Sequence, residues 1–308
     1  MAAEQAFDVN MFTSPYQLTK SMPRDIYPAI APTNPALSAK GKVVIITGAG
    51  GGLGAAVAKA WAQAGAAGIV LIGRSADTLK LTASNIDKIN NSIPVIAEPT
   101  DIANEAGVKK LFSKVKAELG GKSYALVNCA GTMGGGQVGD VALTSWWADY
   151  ETNVKGTFIT NQAFIQAFGD TGTIINLVST AVTMAVPGIS SYASSKLAVM
   201  KLSQALSLEY PSLRTFSVHP GIVAAEDGRG MVIDAFTPFA KDTQALTGGL
   251  TLWLDTAAAD FLKGGFVSAN WDVEELVKHK DEIEAGKLTQ LAFLNGKLGP
   301  EGHPWGSK

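Results

Sequence analysis

The stretch KVVIITGAGGGLG, residues 42–54, decides the fold of this 308-residue chain. Its first half is a β-branched run of the kind that forms a strand buried on both faces. The glycine cluster TGAGGGLG, residues 47–54, follows directly, and a helical pattern, AAVAKAWAQAG, follows the glycines. A glycine turn between a strand and a helix lets the backbone approach a pyrophosphate, which the helix N-terminus stabilises. The stretch therefore predicts a dinucleotide-binding loop.

Two spacings of these glycines fit such a loop. Gly48, Gly52 and Gly54 give a loop that starts directly after the strand. Gly50, Gly52 and Ala55 give the G-x-G-x-x-G/A spacing. We favour the first spacing because its leading glycine follows the strand immediately.

Strand-like and helix-like segments alternate along the rest of the chain. Short apolar runs recur as GIVLIG, PVIAEP, YALVNCAG, GTIINLVS and RTFSVHPG, and helix-length segments such as ANEAGVKKLFSKVKAELG separate them. This alternation predicts βαβ units with right-handed crossovers. We therefore expect an α/β fold, a doubly wound parallel sheet flanked by helices.

Three segments are expected along the chain. Residues 1–40 carry prolines at positions 15, 23, 28, 32 and 35. Each proline fixes φ and lacks a donor, so this segment is predicted to be an extended N-terminal arm. Residues 41–270 hold the alternating pattern, and residues 271–308 form a partly helical tail. The arm and the tail exceed what the sheet requires, and we hypothesise that they wrap a neighbouring subunit.

Charge and cysteine content argue against several classes of protein. The 25 basic and 27 acidic residues are balanced, with neither a basic stripe for nucleic acid nor a Lys/Arg run for a membrane surface. The single cysteine, Cys129, cannot form an internal disulfide, and the N-terminus lacks the apolar run of a signal peptide. His219, His279 and His303 are too scattered for a metal site. We expect a cytoplasmic protein without metal, nucleic acid or membrane.

The end of the second predicted strand bears on the choice of cofactor. The run GIVLIGRS places Arg74 and Ser75 at the point where an NAD site usually carries an acid for the ribose hydroxyls. A guanidinium there suits a 2′-phosphate through charge-assisted hydrogen bonds. We therefore favour NADP (NADPH), while NAD stays possible.

Four motifs occur in one order: the glycine loop, NCAG at residues 128–131, Ser179, and YASSK at residues 192–196. Together they resemble the short-chain dehydrogenase/reductase family over residues 42–270. The segment SANWDVEEL, which begins at the end of that region, is similar to fungal members. The resemblance implies one Rossmann-type domain with a seven-stranded parallel sheet and an NAD(P) cofactor. It also implies a small carbonyl or alcohol substrate and a homodimer or homotetramer.

The resemblance assigns roles to individual residues. The implied catalytic set is Asn153, Ser179, Tyr192 and Lys196. The expected cofactor contacts are Gly48, Gly52, Leu53, Gly54, Arg74, Ser75, Asp101, Asn128, Ala130, Gly131, Tyr192, Lys196, Pro220, Gly221 and Val223. Many relatives carry a threonine shortly after residues 220–221, but this chain continues as Ile222, Val223, Ala224 and Ala225.

Tyr192 and Lys196 lie one helical turn apart, so their side chains share a face. A tyrosine with its usual pKa of about 10 exchanges protons poorly at neutral pH. A unit charge about 4 Å away is worth about 4 kcal/mol, which bounds the lowering of the Tyr192 pKa at about three units. We therefore expect Lys196 to make Tyr192 a proton shuttle. By resemblance, Ser179 holds the substrate oxygen and Asn153 holds a water that passes protons outward.

Two apolar segments bear on the substrate. Residues 224–242 offer Met231, Val232, Ile233, Phe236 and Phe239, and residues 183–189 read TMAVPGI. Either they line a cleft for a bulky hydrophobic or aromatic ketone, or they form a lid that packs on itself. Cys129 is expected to pack rather than react, and Trp146 and Trp147 to make core or subunit contacts.

Taken together, the sequence favours an NADPH-dependent carbonyl reductase or secondary alcohol dehydrogenase. The alternative is a scaffold of the same family that senses a nucleotide or catalyses a redox-neutral step.

Overall fold

Seven parallel strands form one sheet in the computed structural model, which describes residues 8–120, 123–224 and 234–291. The strands are β1 Lys42–Thr47, β2 Gly68–Gly73, β3 Val95–Pro99, β4 Ser123–Asn128, β5 Gly172–Leu177, β6 Leu213–His219 and β7 Phe266–Ser268. Their order is β3-β2-β1-β4-β5-β6-β7, and every neighbouring pair is parallel. The predicted seven-stranded, doubly wound sheet is therefore confirmed.

Helices cover both faces of this sheet. They are α1 Gly52–Gln63, α2 Ala76–Ile89, α3 Glu105–Leu119, α4 Leu143–Asp149, α5 Thr157–Phe168, α6 Ser190–Glu209, α7 Gln244–Leu254, α8 Val273–Lys278 and α9 Lys280–Gly286. A π-helical segment, Tyr150–Gly156, joins α4 to α5. Short 3₁₀ turns lie at Ser14–Tyr16, Pro28–Ile30, Pro35–Leu37, Thr180–Thr183, Asp234–Phe239 and Ala257–Leu262.

Alternate residues of the central strand serve the two cores. Val44 and Ile46 of β1 belong to the cluster that contains Trp61 of α1 and Leu250 of α7. Val43 and Ile45 belong to the opposite cluster, with helices α3 and α5. A strand whose two faces are both covered must be apolar at every position, which explains the β-branched run KVVIIT.

The order of the strands reverses between β1 and β4. In a doubly wound sheet the connections that leave the carboxyl ends of these two strands run to opposite faces and leave a crevice. The loops after β1, β2, β3 and β4 therefore meet at one edge, and the candidate site is formed there.

The described part of the N-terminal arm packs on its own chain. Ile30 and Leu37 are buried in the same core as α1 and α7. The indole of Trp271 donates to the carbonyl oxygen of Tyr16 at 2.8 Å, and the amide of Val273 donates to the hydroxyl of Tyr27 at 2.9 Å. The arm thus covers α7 and α8 of its own chain, and the wrapping of a neighbouring subunit stays a hypothesis.

Of the predicted tail, α8 and α9 are described, whereas residues 292–308 lie outside the described residues. Within the described ranges, no helix has the length and apolarity needed to cross a membrane.

Candidate active site

The glycine loop after β1 requires glycine at specific positions. Gly48 has φ +67°, and a Cβ there would lie 2.8 Å from the amide nitrogen of Ala130. A Cβ on Gly54 would collide with the carbonyl oxygen of Gly48. Gly52 has φ +52° at the first position of α1. These constraints support the spacing Gly48, Gly52 and Gly54, because only glycine leaves the turn tight enough to pack on the end of β4.

A cleft of about 1240 Å³ opens above this loop. Its walls come from the loop, the ends of β2, β3 and β4, and helix α4. Of the predicted cofactor contacts, it contains Gly48, Gly52, Leu53, Gly54, Arg74, Ser75, Asp101, Ala130 and Gly131. A long groove with backbone N–H groups at the start of α1 and glycines below it suits a dinucleotide pyrophosphate. The residues present therefore fit an NAD(P) cofactor.

Arg74 and Ser75 mark the end of the cleft above β2. Both side chains are exposed, and Ser75 also caps α2 by accepting from the amide of Thr78 at 3.4 Å. None of the ion pairs among the described residues involves Arg74. A cationic side chain is thus placed at the cleft without a carboxylate partner in that part of the chain.

Asn128 lies at the end of β4 and is not among the residues that line the cleft, and its contact with the cofactor stays a prediction. Its amide nitrogen donates to Asn161 and to Asn176, both at 2.8 Å, and its oxygen accepts from Thr160 at 2.9 Å. The side chain is buried at the carboxyl end of β4. Asn128 therefore supports the central strands, because its hydrogen-bonding groups are used within the protein.

The start of α6 carries Tyr192 and Lys196 on one face, as the spacing predicted. The ammonium of Lys196 lies 5.9 Å from the centre of the Tyr192 ring. It donates to the carbonyl oxygen of Leu177, at the end of β5, at 2.9 Å. Only 4% of Lys196 is exposed. The lysine is therefore held in place by the sheet rather than left to move in solvent.

The structure corrects the expectation that Lys196 lowers the pKa of Tyr192. Burial of the phenol raises the pKa of Tyr192, and the negative charge of Asp149 raises it further, whereas a hydrogen bond with Ser179 lowers it. Burial also lowers the pKa of Lys196 to about 8. Desolvation acts against the charged form of both groups and is the largest cause of each change. In this structure Tyr192 is accordingly a protonated phenol at neutral pH.

Ser179 lies directly after β5, where the chain turns into the 3₁₀ segment Thr180–Thr183. Its hydroxyl accepts from the amide of Ala181 at 3.1 Å and is hydrogen-bonded to Tyr192. Two hydroxyl groups, from Ser179 and Tyr192, are thereby brought together at the edge of the sheet.

Asn153 lies in the π-helical segment and is fully buried. Its amide oxygen accepts from the amide of Thr132 at 2.9 Å. Its amide nitrogen donates to the carbonyl oxygen of Thr132 and to the hydroxyl of Ser195, both at 2.9 Å. Asn153 therefore ties the loop after β4 to α6, and its role in holding a water stays a prediction.

Asp149 is a site residue that the motif analysis missed. Only 1% of it is exposed. Its carboxylate accepts from the hydroxyl of Thr132 at 2.8 Å, the amide of Gly134 at 2.9 Å and the hydroxyl of Ser191 at 2.6 Å. The spacing could have revealed it, since Asp149 lies four residues before Asn153 and thus close to the same helical face.

A second, smaller cavity of about 170 Å³ adjoins the cleft at Gly52 and Leu53. Ser179 and Tyr192 line it, and so do Pro220, Gly221 and Val223, which were expected to hold the cofactor. Its apolar lining includes Phe12, Met133, Met184, Ile189, Ile222, Ala224 and Phe236. Met184, Ile189 and Phe236 were predicted. Met231, Val232 and Ile233 lie outside the described residues, as does Ala225.

Phe12 was not predicted to belong to the site. It comes from the N-terminal arm, far from the motifs in sequence, and no spacing rule connects it to them. Only the folded arm reveals it.

Four further residues that the sequence analysis singled out have no proposed part in the chemistry. Burial lowers the pKa of His219 to about 3, and its Nδ1 accepts from the amide of Thr180 at 3.3 Å. Burial raises the pKa of the Cys129 thiol to about 12, which agrees with the expectation that it packs. Trp146 donates to Ser190 at 3.0 Å, and Trp147 borders the nucleotide cleft.

The seven-stranded parallel sheet, with Ser179, Tyr192 and Lys196 at the carboxyl ends of its strands, defines one class of protein. The family model described as short chain dehydrogenase matches residues 42–231. The chain belongs to this family of NAD(P)-dependent oxidoreductases.

Individual relatives agree with the assignment. The chain is 35% identical to the short chain dehydrogenase andI of Emericella variicolor over 262 residues, which are 82% of this chain and 90% of that protein. It is 33% identical to the short chain dehydrogenase mpl6 of Monascus purpureus over 280 residues, 88% of this chain and 94% of that one. A short-chain type dehydrogenase/reductase of known structure from Mycobacterium marinum matches with a TM-score of 0.68 and 28% identity, covering 76% of this chain and 95% of its own. The predicted likeness to fungal members is confirmed.

Proposed function

We propose that this protein is an NADPH-dependent carbonyl reductase, or secondary alcohol dehydrogenase, for hydrophobic or aromatic substrates. The observation that carries the proposal is the position of Ser179 and Tyr192. Their hydroxyl groups line the apolar cavity, and that cavity adjoins the nucleotide cleft at Gly52 and Leu53. A carbonyl carbon in the cavity would thus lie beside the nicotinamide end of the cleft.

The two hydroxyl groups account for the proton half of the reaction. When bound, the nicotinamide supplies a hydride to the carbonyl carbon or accepts it from the alcohol carbon. Ser179 donates a hydrogen bond to the substrate oxygen and stabilises the charge that develops there. Tyr192 transfers its phenolic proton to that oxygen, which completes the alcohol. Because burial raises the pKa of Tyr192, the phenol holds its proton at neutral pH, as a reductase requires.

Lys196 acts on Tyr192 and on the cofactor side of the site. Its ammonium, 5.9 Å from the Tyr192 ring centre, stabilises the phenolate left after proton transfer. By the family resemblance it also bonds the nicotinamide ribose. The relay of protons outward through a water held at Asn153 belongs to the same proposal.

The preference for NADPH is supported by Arg74. The guanidinium lies at the cleft just after β2, where a carboxylate would repel a 2′-phosphate. Replacing it with alanine removes a charge-assisted hydrogen bond, worth about 1.5–3 kcal/mol. We expect Arg74→Ala to weaken NADPH binding by about tenfold or more and to change NADH binding by less than about twofold. Titration of both cofactors into both proteins measures this, and Lys80→Ala on α2 is a control for a lost surface cation.

The proposed function is tested by mixing the purified protein with NADPH and a panel of aromatic and aliphatic ketones. Oxidation of the cofactor that depends on the ketone is the expected result. Tight NADPH binding without turnover of any ketone would instead favour the nucleotide-sensing or redox-neutral alternative. A homo-oligomer and a cytoplasmic location are part of the proposal, and a monomeric mass in solution would contradict the first.

A further inference from the structure

The N-terminal arm contributes an aromatic side chain to the cavity that contains the proposed chemistry. Phe12 lines this cavity together with Ser179 and Tyr192. Its ring centre lies 4.9 Å from that of Phe236 and 4.7 Å from that of Phe239, the latter edge-on. Phe12 lies thirty residues before the region that matches the family model, 42–231. One wall of the cavity therefore comes from outside that region.

Arg24 clamps the arm on both sides of Phe12. Its guanidinium donates to the side chain of Asn10 at 2.5 Å and to the hydroxyl of Thr13 at 3.2 Å. These two acceptors flank Phe12 in the chain. The aromatic ring is therefore presented by a short loop whose backbone has little freedom to move.

The same guanidinium anchors the segment opposite Phe12. Arg24 forms an ion pair with Asp242 at 2.8 Å, and the side chain of Asp242 is fully buried. Asp242 also accepts from the amide of Ile222 at 2.6 Å, so the two ends of the segment 222–242 are joined. Asn270 donates both to Asp242 at 2.7 Å and to the carbonyl oxygen of Pro23 at 3.0 Å. One network thus fixes the arm and the ends of that segment relative to each other.

We propose that Phe12 is a specificity-determining residue, the outer apolar wall that contacts the far end of a bulky hydrophobic substrate, and that Arg24 holds it there. The inference deepens the proposed function and rests on it. A ketone bound by Ser179 and Tyr192 at its oxygen extends along an apolar cavity, and a ring that is clamped in place favours substrates large enough to reach it. Small ketones gain nothing from the contact.

The test compares two ketones on the same preparations with NADPH: 2-butanone, which is small, and 2-tetralone, which is bicyclic and aromatic. In Phe12→Ala we expect kcat/KM for 2-tetralone to fall by about tenfold, the order expected when an aromatic contact is lost. The value for 2-butanone should change by less than about twofold. Met11→Ala is the matched control, because Met11 is the neighbouring residue and is 49% exposed. Phe12→Leu should restore most of the selectivity.

The ratio of the two kcat/KM values is independent of the fraction of folded protein, so a loss of stability cannot imitate the effect. Arg24→Ala should lower the same ratio as Phe12→Ala does. The double variant should show no further loss, because both changes remove one wall. A ratio in Phe12→Ala equal to that of the wild type overturns the inference while leaving the reductase assignment intact.

Failure of the proposed function has a different signature. If the wild type reduces no ketone of the panel, the reductase assignment fails, and titration calorimetry of 2-tetralone into the NADPH complex then decides the inference. Weaker binding by Phe12→Ala than by the wild type supports the apolar wall. Equal binding by both proteins, or binding by neither, overturns it.

Discussion

At the scale of single residues, the site combines the buried Asp149 and Lys196 with the half-buried Tyr192, and their surroundings set the ionisation of Tyr192 and Lys196. Tyr192 and Lys196 are both desolvated, which raises the pKa of the phenol and lowers that of the ammonium to about 8. Asp149 acts in one direction on both, since its negative charge raises each pKa. The three groups are therefore coupled electrostatically.

Tyr192→Phe tests the proton donor with the least change in shape. We expect kcat to fall by about 10²–10⁴-fold, because general acid catalysis is lost while the ring still packs. NADPH binding should change much less than kcat, because the ring of the expected cofactor contact is kept, and a titration of the cofactor measures this. Tyr150→Phe removes a phenolic hydroxyl on the helix beside the site and is the control. Full activity of Tyr192→Phe would refute the proposed role.

Asp149→Asn tests this electrostatic coupling through the pH dependence of ketone reduction. Reduction requires protonated Tyr192 and charged Lys196, so activity declines as pH rises through their pKa values. Because Asp149 raises both pKa values, removing its charge lowers both, and the high-pH limb moves to lower pH.

Ser191→Ala is the control for this measurement, since it removes one hydrogen bond to Asp149 and keeps the charge. In Ser191→Ala the high-pH limb of the activity profile should stay in place. An unmoved limb in Asp149→Asn would show that the carboxylate acts only as a structural acceptor.

At the scale of the elements, the site depends on tight turns at the carboxyl ends of strands. Gly221, after β6, has φ +89°, and a Cβ there would collide with the carboxylate of Asp242. That carboxylate accepts from the amide of Ile222 and so joins the two ends of the segment 222–242. It also pairs with Arg24 of the arm. One glycine thus permits the contact between β6, the segment after it and the arm.

Gly221→Ala should therefore disturb both stability and catalysis. The left-handed backbone alone costs about 1–2 kcal/mol for an L-residue, and the displaced Asp242 adds the loss of a buried ion pair. Gly41→Ala is a matched control, because Gly41 has φ +80° but no atom lies within 4 Å of its added Cβ. Urea unfolding and kcat/KM should show a larger loss for Gly221→Ala in both. Equal losses in the two variants would mean that only backbone strain matters.

At the scale of the whole molecule, a second ion-pair network lies at the edge of the sheet opposite the site. The site residues follow the carboxyl ends of the strands. At the amino ends, the ammonium of Lys42 at the start of β1 pairs with Asp255 after α7 at 2.7 Å. The other carboxylate oxygen of Asp255 accepts from Thr173 of β5 at 2.5 Å. This group links β1, β5 and α7 away from the cleft.

Asp255→Ala should lower the free energy of unfolding by about 2 kcal/mol, since it leaves the buried hydroxyl of Thr173 without its acceptor. Chemical denaturation measures the loss, and the Kd for NADPH should not change. Glu98→Ala, which breaks an exposed pair with Lys114, should cost much less, because solvent screens the pair. A change in the cofactor Kd of Asp255→Ala would argue against the separation of the two edges.

The sequence by itself determined the parallel sheet, the glycine loop, and the positions of Ser179, Tyr192 and Lys196 at one edge. These follow from short-range patterns, because the alternation of strands and helices fixes the topology and a spacing of four fixes a helical face. Only the tertiary structure decided that the polar groups of Asn128 are used within the sheet, that burial raises the pKa of Tyr192, and that Phe12 belongs to the site. Each of these depends on contacts between residues far apart in the chain or on exclusion of water, and no local pattern records either.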